Sequence, residues 1–231
     1  MNILGVTLAR GGSKSIPHKN IAQVSGRPLI QYTVEAAKQS SLLTNYIVNT
    51  DCDNIRECCS ELVESIQFGR PENLSSDTAS SGETLAYVVD RFEAETRSTV
   101  DYVVELMATN PLKTAADIDA CVSMLIDGDA ESVIALGRLY DHHPSRIKYL
   151  DDSGYIQDFF PEVVESRRQD LTPHAYIRAG SIYAMKRDLL YEGRRYGGDK
   201  SKGYILPDER FMNIDEPKDL IVAEALLRQR C

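Results

Sequence analysis

Apolar positions along the chain follow two periods, the two-residue period of strands and the three-to-four-residue period of helices. A short apolar run, Ile3 to Leu8, predicts a buried first strand. Pro28 is suited to the start of the first helix, because a helix tolerates proline in its first turn. Further strands are predicted at Tyr46 to Asn49, Val103 to Met107 and Ser132 to Leu136.

Two of the predicted helices carry clear start signals. Ser80 followed by Glu83 is the pattern of a capping box, and Leu85, Val88, Val89 and Phe92 then share one helical face. Thr114 precedes a second such face, formed by Ile118, Cys121, Val122 and Leu125. Because strands and helices alternate, the pattern predicts an α/β fold with a doubly wound, mainly parallel sheet.

The pattern changes at Asp141. From Asp141 to Ala179 no helical period is sustained, and we interpret this stretch as a small insertion of short strands and loops. Gly180 to Met185 returns to a strand pattern, and Pro217 to Arg230 predicts the last helix. We therefore expect a single domain over residues 1–231.

Composition narrows the class of protein. A net charge of −9 over 231 residues argues against a nucleic-acid partner. No apolar run reaches the ~18 residues that span a membrane, and no signal peptide is recognised at the N-terminus. The five cysteines are an odd number and favour reduced thiols in the cytoplasm. Cys58 and Cys59 share a helical face with Ile55 and Leu62, which favours core packing over a metal site.

Candidate chemistry is concentrated in the segment Leu8 to Asn20, LARGGSKSIPHKN, directly after the first strand. Its two glycines permit a loop whose amides converge on an anion, and Arg10, Lys14 and Lys19 add three cations. This combination suits a polyphosphate. The alternative is a solvated basic loop. The position after a strand of an α/β sheet favours the phosphate site.

LARGGSKSIPHKN resembles the N-terminal signature of the cytidylyltransferases that activate sialic acids and related nonulosonic acids, where this loop holds the triphosphate of CTP. GRPENLSSDTAS, residues 69–80, resembles a second segment of that family. The resemblance implies a nucleotide-diphosphosugar transferase-like fold. It also implies a nucleotide site made of Leu8, Ala9, Arg10, Gly11, Gly12, Ser13, Lys14, Lys19, Asn20, Arg70, Ser76, Asp77, Thr78, Ala79 and Ser80.

The segments LMATNPLKT, DHHPSR, RRQDLTP and YIRAGSIY resemble the family's acceptor half more loosely. Sugar-binding residues implied by this resemblance are Met107, Arg146, Arg168, Gln169 and Tyr183. Met107, Ile177 and Ala179 replace the glutamine, arginine and asparagine of sialic-acid enzymes, and Arg178 falls one position late. We expect a deoxy or methyl-bearing acid, such as legionaminic or pseudaminic acid, to be preferred over N-acetylneuraminate. We interpret His142 and His143 as structural residues and not as zinc ligands.

The segment MNIDEPKDL resembles the metal-binding segment of the family. Asp215 matches an aspartate there, and Asn213 replaces another. Residues two apart on a strand point to the same side, and oxygen ligands beside phosphates suit Mg²⁺. Asp215 and Asn213 are therefore the candidate metal ligands. The alternative is that Asp215 only caps the last helix.

The resemblance implies transfer of CMP from CTP to the anomeric hydroxyl of a 2-keto-3-deoxy sugar acid, with release of pyrophosphate. Arg10, Lys14, Lys19 and Asp215 would be catalytic, with Mg²⁺ as cofactor. The implied partners are CTP, a sugar acid and a second copy of the chain, bound through the insertion. Two alternatives stay open: a nucleotidyltransferase for a sugar 1-phosphate with another NTP, and a non-catalytic nucleotide-binding relative.

Overall fold

The fold is built on a six-stranded sheet, seen in a computed structural model that describes residues 1–13, 15–60, 68–76, 78–163 and 165–229. Its strands, in chain order, are β1 (Ile3–Leu8), β4 (Asn45–Asn49), β5 (Tyr102–Leu106), β6 (Ser132–Leu139), β9 (Ala175–Lys186) and β10 (Ser201–Ile205). Two two-stranded sheets complete the set: β2 (Gln23–Val24) with β3 (Arg27–Pro28), and β7 (Lys148–Leu150) with β8 (Ile156–Asp158).

The helices are α1 (Leu29–Gln39), α2 (Asp53–Ser60), α3 (Glu72–Ser75), α4 (Ser81–Thr96), α5 (Ala115–Ile126), α6 (Arg187–Tyr191) and α7 (Pro217–Arg228). Both predicted capping boxes are present, at Ser80 with Glu83 and at Thr114 with Asp117. Pro28 is the residue that immediately precedes α1. Among the described residues, no helix combines the length and apolar character needed to cross a bilayer.

The large sheet runs in the order β10-β6-β9-β5-β1-β4. β1 pairs in parallel with β4 and β5, and β6 pairs in parallel with β10, while β9 is antiparallel to both of its neighbours. The prediction of a mainly parallel α/β sheet is thus confirmed. The antiparallel strand β9 was not anticipated, because its sequence pattern carries no information on direction.

Helices cover both faces of this sheet. One buried cluster contains Ile30 of α1, Ile55 of α2 and Ile118 of α5, and the other contains Leu85 of α4 and Leu189 of α6. Alternate residues of one strand enter opposite clusters, since successive strand side chains point to opposite faces. The sheet is therefore doubly wound.

The segment predicted as an insertion, Asp141 to Ala179, divides at Ala175. Before Ala175 it consists of loops, 3₁₀ turns and the β7–β8 hairpin, whereas residues 175–179 form the first part of β9 in the central sheet. The sequence boundary was late because Ala175–Ala179 mixes polar and apolar residues, and no clear strand period is visible there. Arg230 and Cys231, at the predicted end of the last helix, lie outside the described residues.

Candidate active site

Two adjoining clefts open where β1 and β5 end. The first has a volume of about 270 Å³ and is lined by Leu8, Arg10, Arg70, Ser76, Ala79, Ser81, Glu105 and Met107. The second has a volume of about 370 Å³ and is lined by Lys19, Met107, Thr109, Ile177, Arg178, Gly180, Tyr183, Asn213 and Asp215. Met107 lines both clefts and therefore marks their junction. The carboxyl ends of strands in α/β sheets are the usual place for ligands.

The loop after β1 is held by contacts with neighbouring parts of the fold. Gly11 donates its amide to Asp51 Oδ1 at 2.8 Å, and Asn20 donates its side-chain amide to the carbonyl of Arg10 at 3.0 Å. A Cβ on Gly11 would lie only 2.9 Å from Cβ of Cys52, so a glycine is required at this close approach. Two residues predicted to face the nucleotide, Gly11 and Asn20, thus shape the loop through these bonds. Lys14 lies outside the described residues.

A small core fixes the loop relative to the C-terminal segment. Ile16 of the loop and Ile214 are both buried in the same apolar cluster, which also contains Leu227 of α7. Lys19 is brought against this segment, and its ammonium donates to the carbonyl of Ile214 at 2.9 Å and to Asp215 Oδ1 at 3.1 Å. Residues nearly 200 positions apart in sequence therefore form one side of the second cleft.

Two cations line the first cleft. Arg10 lies on the loop after β1, and Arg70 comes from the segment before α3. Arg70 donates through Nε to the carbonyl of Leu74 at 2.8 Å, which fixes its guanidinium. Burial lowers the pKa of Arg70, and the neighbouring charge of Arg10 lowers it further. The pair concentrates positive charge in an otherwise acidic protein, as anion binding requires.

The segment before α4 contributes backbone and small polar groups. Ser76, Ala79 and Ser81 line the first cleft, and Ser81 begins the 16-residue helix α4. Ser80 uses its hydroxyl to accept from the amide of Glu83 as a helix cap, which fixes the position of this hydroxyl beside the first cleft. Thr78 lies next to Ser76, and Asp77 lies outside the described residues.

Asn213 and Asp215 lie side by side, as the spacing predicted. Asn213 donates its side-chain amide to Asp215 Oδ2 at 2.6 Å. The segment is irregular and not a strand; its geometry depends on Ile214, whose amide donates to the carbonyl of Thr109 at 2.9 Å. Asp215 does not cap α7 with its side chain, because Asp219 accepts from the amides of both Asp215 and Glu216.

Gly180 gives Asn213 the room that this arrangement needs. Gly180 has φ of +56°, and a Cβ there would lie 2.9 Å from Oδ1 of Asn213. One carboxylate and one amide side chain would offer oxygen ligands to a divalent metal that takes its remaining ligands from phosphates and water. Among the described residues, no cluster of three or more His, Cys, Asp or Glu side chains suits a metal. Any metal here would therefore depend on the substrate for ligands.

The predicted sugar-binding residues fall into two groups. Met107 and Tyr183 line the second cleft, as expected for an acceptor site. Arg168 instead lines a separate cleft of about 440 Å³ beside Tyr140, with its guanidinium 4.8 Å from the ring centre. Arg146 is paired with Asp141 at 3.3 Å and Glu165 at 3.5 Å, and Gln169 is exposed. Within one chain, the structure does not bring Arg146 or Arg168 into the lining of the second cleft.

Arg178, which falls one position late in the sequence comparison, lines the second cleft beside Ile177. Ala179, which stands where sialic-acid enzymes have an asparagine, is fully buried. The pairing register of β6 and β9 shifts between Ile134 and Leu136, and such an irregularity rotates neighbouring side chains out of strict alternation. Arg178 and Ile177 therefore both contribute to the lining of the second cleft.

Two further polar residues line the first cleft. Ser81 follows the helix cap, at a helix N-terminus of the kind that can receive an anion. Glu105 is a single carboxylate within the otherwise apolar strand β5 and is 1% exposed. A charge in a buried central strand is rare enough to have been noticed in sequence. Neither histidine of the Asp141–Arg146 segment lines these two clefts, and buried His143 contacts Ser145 and the carbonyl of Pro173.

Comparisons with known proteins identify the family of this chain. The family model described as cytidylyltransferase matches residues 4–202. The chain is 29% identical over 215 residues to an N-acylneuraminate cytidylyltransferase of Streptococcus agalactiae, covering 92% of this chain but only 50% of that protein. It is 29% identical over 228 residues to a pseudaminic acid cytidylyltransferase of Campylobacter jejuni, covering 99% of this chain and 97% of the relative.

The fold agrees with the sequence match. A solved structure of a CMP:2-keto-3-deoxy-manno-octonic acid synthetase, in complex with CTP, superposes with a TM-score of 0.72 at 17% identity and covers 100% of both chains. At that identity the likeness concerns the fold. The family match extends over most of the chain, from β1 into β10. This chain belongs to the cytidylyltransferase family.

Proposed function

We propose that this protein transfers CMP from CTP to the anomeric hydroxyl of a nonulosonic acid and releases pyrophosphate. One observation carries the proposal: two clefts share Met107, the first lined by Arg10 and Arg70 and the second by Lys19 and Arg178. A nucleotide in the first cleft and a sugar acid in the second would meet at this junction. Relatives that act on N-acylneuraminate and on pseudaminic acid support the substrate class.

Catalysis would rest on positioning and on neutralising phosphate charge, because phosphoryl-type transfers need little covalent help from the protein. The backbone of Arg10 and the ammonium of Lys19 are held in place by the rest of the fold, which places both residues in the clefts that meet at Met107. Lys14 is assigned the same role by its place in the loop. Asp215 and Asn213 would hold Mg²⁺ against the phosphates, where the ion would offset the charge that builds up on the reacting oxygens.

Acceptor recognition would use the residues around the second cleft. Arg178 offers a guanidinium, which binds a carboxylate well. Arg146, Arg168 and Gln169 would take part only if a second copy of the chain brings them to this cleft. We propose such a homodimer because exposed large apolar side chains are concentrated in one region. These residues are Ile147, Tyr149, Leu150, Tyr155, Ile156, Phe159, Phe160, Tyr176 and Ile177.

We place the reaction in the cytoplasm, which keeps thiols reduced. Cys52, Cys58, Cys59 and Cys121 are free in the described part of the chain. Burial raises the pKa of the Cys59 thiol to about 12, so this thiol is protonated and packs as a small apolar group. None of these four cysteines lines either cleft of the site.

The test has two stages. Thermal shifts with CTP, UTP, GTP and ATP, each with Mg²⁺, identify the nucleotide, because a specific ligand raises the melting temperature. Pyrophosphate release is then measured with CTP and N-acetylneuraminic, legionaminic and pseudaminic acids and Kdo. CTP-selective stabilisation with sugar-dependent release supports the proposal. Binding of CTP without release indicates a non-catalytic relative, and turnover of a sugar 1-phosphate with another NTP indicates a different transferase.

A further inference from the structure

A buried ion pair lies in the wall between the two clefts. Glu105, on the central strand β5, is 1% exposed and lines the first cleft. Its carboxylate accepts a hydrogen bond from Arg195, whose side chain is 22% exposed. Burial raises the pKa of the Glu105 carboxyl, and the charge of Arg195 opposes that shift. Because an unpaired buried carboxylate is costly, Glu105 strongly favours keeping Arg195 in this position.

Arg195 belongs to a segment with no regular structure of its own. Residues 192–200 connect α6 to β10 and contain Gly193, Gly197 and Gly198, with φ of +73°, +99° and +77°. Left-handed glycines give a chain many alternatives in the absence of side-chain contacts. The ion pair with β5 is therefore an anchor that ties this segment to the rigid sheet.

The anchor continues into the second cleft through stacked side chains. The guanidinium of Arg195 lies 5.2 Å from the ring centre of Tyr183 and 5.8 Å from that of Tyr196. The two rings are 5.6 Å apart. Arg178 covers the Tyr196 ring at 5.4 Å and donates to its hydroxyl. Tyr183 and Arg178 both line the second cleft, so the contacts run from Glu105 to the acceptor wall.

We propose that Glu105 and Arg195 form a positioning pair that sets the acceptor-binding wall of Tyr183 and Arg178. Neither member of the pair lines the second cleft; both act through the two tyrosines. This inference rests on the proposed function, in which the second cleft binds the sugar acid. The segment 192–200 thus affects the affinity for the sugar acid and not the rate of the chemical step.

The test is the separation of kinetic constants. Glu105→Gln removes the charge while keeping the shape of the side chain. We expect the KM for the sugar acid to rise about tenfold, equivalent to about 1.4 kcal/mol. Arg195→Met, whose side chain lines neither cleft, should raise this KM alike while kcat and the KM for CTP stay within about twofold. The double variant should have a sugar-acid KM no higher than either single one, because the residues act together. Arg195→Lys keeps the charge but loses the planar guanidinium, so an intermediate KM is expected.

Arg194→Met is the matched control. Arg194 is the adjacent arginine of the same segment, but it pairs with Glu192 and Glu131 at the surface and should leave both KM values unchanged. A rise in the KM for CTP alone would overturn the proposal and assign Glu105 to the nucleotide. Equal effects of Arg194→Met and Arg195→Met would overturn it as well, because the segment would then respond to any loss of charge.

A readout without substrates separates this proposal from the proposed function. Amide hydrogen exchange of residues 192–200 should accelerate more in Glu105→Gln and Arg195→Met than in Arg194→Met, which loses a bond to the carbonyl of Gly197 and the ion pairs with Glu192 and Glu131. Unchanged exchange in all three variants would overturn the anchoring role even in an active enzyme. If the unmodified protein transfers CMP to no sugar acid, the proposed function fails, and with it the acceptor role of the pair.

Discussion

The loop after β1 and the insertion before β9 both carry several cations, but the structure holds the cations of the two regions in different ways. Lys19 is 15% exposed and donates to the backbone of Ile214. Arg168 in the insertion is 57% exposed and lies 3.8 Å from an exposed carboxylate of Asp141. Backbone and core contacts fix a charge at low entropic cost, whereas surface ion pairs are weak. The cations of the first region are therefore preorganised within one chain, and those of the second are not.

The strongest test of the preorganised region is removal of its carboxylate. Asp215→Ala should abolish Mg²⁺-dependent turnover, because it leaves Asn213 as the sole candidate ligand of the pair. Asn213→Asp should retain or raise activity and should bind Mn²⁺ more tightly in a spectroscopic titration, which reads the metal independently of turnover. Full Mg²⁺-dependent activity of Asp215→Ala would show that the assigned ligand is wrong.

Loss of a loop cation should have the next largest effect. Lys19→Ala and Arg10→Ala should each lower kcat/KM by about 100-fold, the usual effect of removing a preorganised charge from an active site. Stability should change by less than about 1 kcal/mol, since the ion pair of Lys19 is partly exposed. Lys38→Ala, an exposed cation in the last turn of α1, is the control and should leave both quantities unchanged. Full activity in both loop variants would contradict the phosphate site.

The insertion is tested by separating the subunits. Ile156→Asp should convert a dimer to a monomer in light scattering at micromolar concentration, because it places a charge in the proposed interface. Ile221→Asp is the control, since Ile221 on α7 is 72% exposed, against 71% for Ile156. A monomeric unmodified protein, or equal effects of both substitutions, would count against the interface. If Arg168 acts across the interface, the Ile156→Asp monomer should also lose acceptor affinity.

Different sugar acids should differ in kcat/KM by less than the loop variants differ from the unmodified protein. In competition at equal concentration, pseudaminic or legionaminic acid should exceed N-acetylneuraminate by about tenfold in kcat/KM, because apolar Met107 and Ile177 leave hydroxyl groups unpaired. Met107→Gln should narrow that ratio. N-acetylneuraminate as the best substrate would refute this account of the pocket and leave the CMP transfer unaffected.

The smallest expected effect is on the pH dependence of stability, and it comes from Lys113, a buried lysine beside Met107, where the two clefts meet. Lys113 donates to the carbonyls of Met107 and Asn110, both at 2.7 Å, and burial lowers its pKa to about 7. The unfolded chain, with an ordinary lysine pKa of about 10.4, binds more protons between these values. The contribution of Lys113 to the free energy of unfolding is therefore lowest below pH 7 and rises up to about pH 10. Urea unfolding at pH 6.5 and 9 should show this rise in the free energy of unfolding in the unmodified protein and a smaller rise in Lys113→Met.

The sequence by itself determined the local features. Helix caps at Ser80 and Thr114, the strand periods and the glycine-rich loop are set by neighbouring residues, and these are what a pattern records. The N-terminal signature identified the family for the same reason, because its residues are contiguous in the chain. The side-by-side arrangement of Asn213 and Asp215 followed from their spacing, although the segment is not a strand.

Tertiary structure alone decided which distant residues share a cleft. Lys19 meets Asp215 because Ile16 and Ile214 are buried in one small core, which no local pattern reveals. Arg178 lines the second cleft together with Ile177, close to the register shift between β6 and β9, which counting positions in sequence does not show. Glu105 is stable in a central strand only because a segment some 90 residues away supplies Arg195. Burial and long-range pairing, which depend on the whole packed chain, set these contacts.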